Sequence, residues 1–192
     1  MKAYQGFEAK KSGFTRLPVA GAYVGEIQGL RVEKDYDNTR DVIVLMLEIT
    51  DGEYKNRYHE VLKEQQERFG GDVKYRGTLR IKLPAENDGD DKAWIRSKFE
   101  NAVWCIEQSN EGYEWDWNEE KWKGKKVGFS VRDTLYTGAD GNDRQSTEIG
   151  QLESIKEVRD GKVKPMKARD SRNANAKTEE MTNVTNSVDV PF

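Results

Sequence analysis

Between Lys55 and Lys82 the chain carries eight basic residues, Lys55, Arg57, Lys63, Arg68, Lys74, Arg76, Arg80 and Lys82, against four acidic ones, Glu60, Glu64, Glu67 and Asp72. Tyr54, Tyr58, Phe69 and Tyr75 are interleaved with these charges. Aromatic faces stack on unpaired bases for about 1–3 kcal/mol per base, and Lys and Arg track the phosphates between them. The combination suits a single nucleic-acid strand. The same residues also fit a plainer use, in which the aromatics pack a core and the charges solvate strand edges. The segment therefore carries the nucleic-acid reading as a whole, not through any one member.

A formal net charge of −3 at pH 7 opposes a polyanionic partner, so the distribution of charge has to decide. Residues Glu111 to Glu120 hold five carboxylates and no basic residue, which segregates charge and predicts that this stretch faces away from a nucleic acid. Other chemistries find little to build on. His59, the only histidine, has no partner nucleophile at a recognisable spacing and is assigned no catalysis. Asp88-Gly89-Asp90-Asp91 and Asp140-Gly141-Asn142-Asp143 look like fragments of metal loops. Neither is followed by the glutamate at the twelfth position that an EF-hand loop requires, so both read as turns or caps. With no GxxxxGK[ST] and no GxGxxG after a strand, neither nucleotide hydrolysis nor dinucleotide binding is supported. No catalytic residue, metal site or cofactor is expected.

Holding such residues on one surface requires a scaffold, and the hydropathy pattern supplies its elements. GAYVGEIQGLRVE places Tyr23, Gly25 and Ile27 on one face and predicts a strand over 22–33, bent at Gly25 or Gly29. The apolar, β-branched run 42–49 predicts a central buried strand. Residues 54–62 and 78–83 read as short alternating segments around a loop at Phe69-Gly70-Gly71, so the third strand is interrupted or paired with an insertion. Asp90 or Asp91 can cap a helix to about Ser109 with the stripe Ile95, Phe99, Ala102, Val103 and Ile106, stopped by Asn110 and Gly112. Residues 125–132 and 147–158 read as two closing strands, joined through Gly138 and Asp140-Gly141. Trp94, Trp104, Trp115, Trp117 and Trp122 cluster in and just after the helix, where their default use is covering a core.

Three strands, one helix and two strands predict an all-β fold with one helix: a five-stranded OB-fold barrel with the helix between the third and fourth strands. An α+β sandwich has the same element order. From Pro165 the composition turns to Asn, Thr, Ser, Ala, Lys and Glu, which predicts a disordered tail. The expected division is a binding domain over 1–164 and a flexible tail over 165–192. Cys105 is the only cysteine, no stretch approaches the roughly 20 apolar residues that span a bilayer, and MKAYQGFEAKK lacks the apolar core of a secretory signal. These features predict a cytoplasmic protein.

The ending Asn186-Ser187-Val188-Asp189-Val190-Pro191-Phe192 resembles the Asp-Ile-Pro-Phe tip of bacterial single-stranded DNA-binding proteins, which docks replication, recombination and repair proteins. It lacks the long acidic run of those tails, offering Glu179, Glu180 and Asp189 with Lys177 nearby. The body resembles the OB-fold single-stranded DNA-binding proteins of bacteriophages of Gram-positive hosts. The matching phrases are LPVAGAYVGEIQGLRVE, DGEYKNRYHEVL, NAVWCIEQSNEGYEWDW and KWKGKKVGFSVRDTLYTGADG, with an insertion over 64–73. The resemblance implies sequence-tolerant binding of single-stranded DNA in phage replication or recombination, in the host cytoplasm, with partners recruited through Asp189, Val190, Pro191 and Phe192. The expected DNA contacts are Arg31, Lys34, Arg57, Tyr58, Phe69, Lys74, Tyr75, Arg76 and Arg80, with Tyr136 and Arg144 as outer contacts. The alternatives are an OB-fold module that binds protein and not DNA, and a magnesium-dependent nuclease. Oligomeric state, site size and the choice between DNA and RNA are not encoded legibly.

Overall fold

The structure, a computed structural model, describes residues 15–86 and 88–172. Its strands are β1 (Gly21–Lys34), β2 (Asp41–Ile49), β3 (Thr78–Lys82), β4 (Lys126–Thr137), β5 (Asp143–Glu153) and β6 (Arg169–Asp170). Its helices are α1 (Arg57–Phe69), α2 (Ala93–Ser109) and α3 (Ile155–Arg159), with short 3-10 turns at Asp90–Lys92 and Glu119–Trp122. The first five strands form one antiparallel sheet in the order β3-β2-β1-β4-β5, and β6 adds in parallel to β4. The sheet is not closed, since no ladder joins β3 to β5 among the described residues, although these two edges approach each other. No described helix is long and apolar enough to cross a membrane.

β1 is the hub. Its first half pairs with β4 and its length from Gly25 onward with β2, and the register slips between Ile27 and Gly29, so the bend predicted at a glycine is a bulge at Gln28. β2 is flanked on both sides and buried almost throughout, as its unbroken apolar run requires. Ile27, Leu45, Leu47 and Ile49 meet Phe129, Leu152 and the α2 residues Phe99 and Ile106 in a single core. Full burial of each such side chain contributes about 1.5–3 kcal/mol relative to exposure. α2 buries Ile95, Phe99, Ala102, Cys105 and Ile106; Val103 from the predicted stripe packs at the margin and Cys105 takes the inner position. Asn110 ends the helix by donating from its amide to the carbonyls of Ile106 (2.7 Å) and Lys126 (2.8 Å), which ties α2 to the start of β4.

One predicted strand segment and the end of another are helical instead. Residues 57–69 form α1, with Tyr58 and Val61 inward. Their spacing with Leu62 and Gln65 is the helical i, i+3, i+4, i+7. The signal that decides the matter lies elsewhere in the chain: the Glu48 carboxylate, on β2, accepts from the backbone N–H groups of Tyr58 (3.1 Å) and His59 (2.7 Å) and so caps α1. Gly77 makes room for this helix, because a Cβ there would stand 2.3 Å from the Leu47 carbonyl and 2.8 Å from the Tyr58 ring. The last predicted strand ends at Glu153, where Ser154 and Glu157 form a capping box that starts α3. Among the described residues the fold thus has three α-helices and not one. Beyond 164, β6 pairs with β4 and Met166 lies over Gly150, so residues 165–172 of the expected tail pack on the sheet. Residues 173–192 lie outside the described residues.

The aspartate-rich segments have structural jobs. Asp88 receives the Arg40 guanidinium through both carboxylate oxygens and accepts from Ala85 N (2.9 Å), while Arg40 also donates to the Leu83 carbonyl (2.8 Å). Asp140 accepts from the Asn142 backbone and pairs with Arg144, which, with Asn142, draws its pKa down to about 2.

Two outcomes follow. Gly77→Ala should cost about 1–3 kcal/mol in urea unfolding, because the added carbon meets backbone that cannot swing away. The Arg40 guanidinium holds the Asp88 carboxyl well below its usual range, so its stabilisation is present above the ordinary carboxylate pKa and is lost as pH falls through the lowered one. The melting-temperature gap between wild type and Asp88→Asn should therefore be full at neutral pH and shrink as pH drops below about 4.

Candidate nucleic-acid interface

Where β3 and β5 part, a groove of about 640 Å³ opens along the sheet edge. The approach to β3 supplies Lys74, Tyr75 and Arg76; β3 itself supplies Arg80; α2 supplies Lys98; β4 supplies Arg132, Thr134 and Tyr136; and β6 supplies Arg169. Strand periodicity sets this display. On β3, Leu79 and Ile81 are buried, so Arg80 points outward, and on β4 the groove residues 132, 134 and 136 recur every second position. Six cations line the groove, Lys74, Arg76, Arg80, Lys98, Arg132 and Arg169, against a single carboxylate, Glu148.

These cations are not equally free. Glu148 holds Arg132 at 2.6 Å and Arg169 at 3.4 Å. Arg80 pairs with Glu33 and lies 4.0 Å from Asp35, whose other oxygen takes Lys82 at 2.5 Å. Lys74 and Arg76 are exposed and form no ion pair among the described residues. The Lys98 ammonium stands 5.3 Å from the Trp94 ring centroid. A concave surface with this excess focuses positive potential on whatever enters it.

Tyr75 sits at the groove wall half-buried, with its hydroxyl 2.9 Å from the Leu47 carbonyl and 3.1 Å from Glu48 Oε2. Burial, and then the Glu48 charge, push its phenol pKa far up, so the group stays protonated. The same Glu48 oxygen meets His59 Nδ1 at 2.5 Å, and the His59 and Tyr75 rings lie 5.3 Å apart. His59 is therefore part of the mounting that fixes Tyr75.

Of the residues expected to touch DNA, Lys74, Tyr75, Arg76, Arg80 and Tyr136 line this groove together. Tyr58 does not reach the surface: it is 2% exposed, and the prediction that it stacks on bases is corrected, because α1 turns it into the core where a strand would have let it point out. Arg57 bends over the Tyr54 ring at 5.1 Å, donates to the Arg16 carbonyl and forms an ion pair with Glu60, away from the groove. Phe69 is 71% exposed at the far end of α1. Arg31 and Lys34 sit on the β1–β2 ribbon, paired with Glu33 (2.7 Å) and Asp41 (2.8 Å); Arg31 shares a cross-strand row with Val44 and Arg80. Arg144 lies at the β4–β5 turn, held by Asp140 at 2.7 Å. The tip residues Asp189, Val190, Pro191 and Phe192 lie outside the described residues.

Sequence reasoning passed over Lys98, Arg132 and Arg169. The alternation of KKVGFSVR was enough to place Arg132 on a strand face, whereas nothing local marks Arg169. It also passed over Tyr36, which is 89% exposed at the β1–β2 turn with Lys82 5.9 Å from its ring. The acidic stretch 111–120 lines none of the groove. Among the described residues no cluster of three His, Cys, Asp or Glu side chains is placed to hold a metal ion. No known protein family matches the sequence, and no curated protein is significantly similar to it.

Tyr75→Phe removes the donor facing Glu48 and should lower stability by about 1–3 kcal/mol in urea unfolding.

Proposed function

We propose that the chain binds single-stranded DNA without altering it, along the groove between β3 and β5. The observation that carries this reading is the lining of that groove: six cations against one carboxylate, flanked by the rings of Tyr75 and Tyr136. Lys and Arg neutralise phosphates and release their counterions, while aromatic faces accept any base, so binding is sequence-tolerant and salt-sensitive. The architecture supports the same reading. Five antiparallel strands ordered β3-β2-β1-β4-β5, with the two edge strands near each other and a helix between the third and fourth, are compatible with a partly open barrel of the OB type, the fold this reading calls for. In that fold the β1–β2 and β4–β5 loops flank the ligand. Here the first carries Tyr36, and Arg144 stands on β5 just past the second. The phage-type resemblance sets the proposed role in DNA replication or recombination inside a bacterial host, with Asp189 to Phe192 docking partner proteins through an apolar pocket and a basic side chain.

Fluorescent oligo-dT titrated at two salt concentrations tests the core of this. Wild type should bind, and more weakly as salt rises. Lys74→Ala with Arg76→Ala should weaken binding and flatten the slope of log K against log salt by about 1.4, at about 0.7 per phosphate contact on a single strand. Glu148→Gln should tighten binding, by removing the groove's carboxylate. No binding by wild type at low salt overturns the function. Deleting 189–192 should leave oligo-dT affinity unchanged while capture of helicase, polymerase or recombinase is lost; retained capture defeats the docking role.

A further inference from the structure

A second cavity, of about 600 Å³, opens beside the groove and shares Leu79, Arg80, Lys98, Gly150 and Arg169 with it. The two are one trough. Its far end runs off the sheet onto the first turns of α2, at Trp94, Ser97, Lys98 and Asn101. Four cations line this second part, Arg80, Lys82, Lys98 and Arg169, and no carboxylate does.

Trp94 is the residue that needs explaining. Two neighbouring tryptophans show what packing looks like here: Trp122 is 0% exposed and Trp115 lies 4.8 Å from it, centroid to centroid, while Trp104 and Trp117 are exposed but line neither part of the trough. Trp94 instead precedes the buried Ile95 on α2 and leaves 49% of itself exposed. A single exposed apolar side chain is ordinary. An exposed indole at the end of a basic trough, with the Lys98 ammonium beside its ring and that same lysine lining both parts of the trough, is a stacking platform with a phosphate partner next to it. Cation–π contact with Lys98 also holds the ring in place.

We infer that Trp94 stacks on a base, so that the bound single strand leaves the β3–β5 groove and continues over the N-terminal turns of α2. This rests on the function proposed above, and it lengthens the site onto an element that the barrel alone would not use.

The test compares full-length wild type, Trp94→Ala and Trp94→Phe, binding thymidine oligomers from about four to about sixteen nucleotides. Short oligomers that fill only the groove should bind all three alike. For long oligomers Trp94→Ala should lose roughly 5- to 150-fold in affinity, the equivalent of one stacked base, and Trp94→Phe should recover most of it. Unchanged thermal unfolding of the variants shows that the loss is one of contact. Long oligomers binding Trp94→Ala as tightly as wild type, or a loss equal at every length, overturns the extension and leaves the groove standing. Wild type binding no oligomer of any length overturns the function and the extension together.

Discussion

The Glu48 carboxylate is buried on a central strand, where an unpaired charge costs several kcal/mol in lost hydration. It is tolerated because donors converge on it: the backbone N–H groups of Ile49, Tyr58 and His59, the His59 ring and the Tyr75 hydroxyl. Each donor fixes something. The two amides at 58 and 59 start α1 in the absence of any side-chain cap from Asn56. The Tyr75 hydroxyl pins the return from α1 to β3, and with it the positions of Lys74 and Arg76 on the groove wall. One buried charge in the sheet thereby orients the part of the surface whose cations are least compensated.

The open edge of the sheet is the second constraint. Unpaired strand edges invite pairing with other chains, and β3 and β5 limit this in different ways. β3 is five residues long and carries charge on its outward positions, Arg80 and Lys82. β5 is interrupted opposite Ser130 and Val131 by a bulge at Gly150, and Met166 sits where a side chain at 150 would be. Charge and a bulge that keep strands from adding also keep the gap between β3 and β5 open to solvent.

How far this was legible in the sequence depends on the range of the forces involved. β1 and α2 announce themselves because their periodicities reflect a face turned to the core, and β2 because its unbroken apolar run reflects burial on both faces, which each segment records for itself. α1 was misread because its cap comes not from the residues at its start but from Glu48 on the preceding strand, and its charged outer face hid a short inner stripe of Tyr58 and Val61. That error carried Tyr58 into the set of expected DNA contacts, whereas its neighbour Tyr75 lines the groove. α3 was legible in principle, since Ser154 and Glu157 are three apart as a capping box requires. Arg169 was not, because a strand of two residues has no period to detect.

The groove's single carboxylate bears on how a strand would be held and released. Glu148 bonds both Arg132 and Arg169, so it pre-orients two guanidinium groups and also neutralises part of their charge. A phosphate arriving there in the proposed function trades places with a carboxylate, exchanging one charge-assisted hydrogen bond for another, and the net gain is small. Lys74, Arg76 and Lys98 form no ion pair among the described residues, so in the proposed function the salt-dependent part of affinity would fall mostly on them. A groove in which every cation were free would grip a polyanion harder and let go more slowly. In the proposed function, Glu148 beside the arginines, with Lys74 and Arg76 in no ion pair among the described residues, would separate capture, which long-range charge governs, from retention, which exchange at the paired arginines keeps modest.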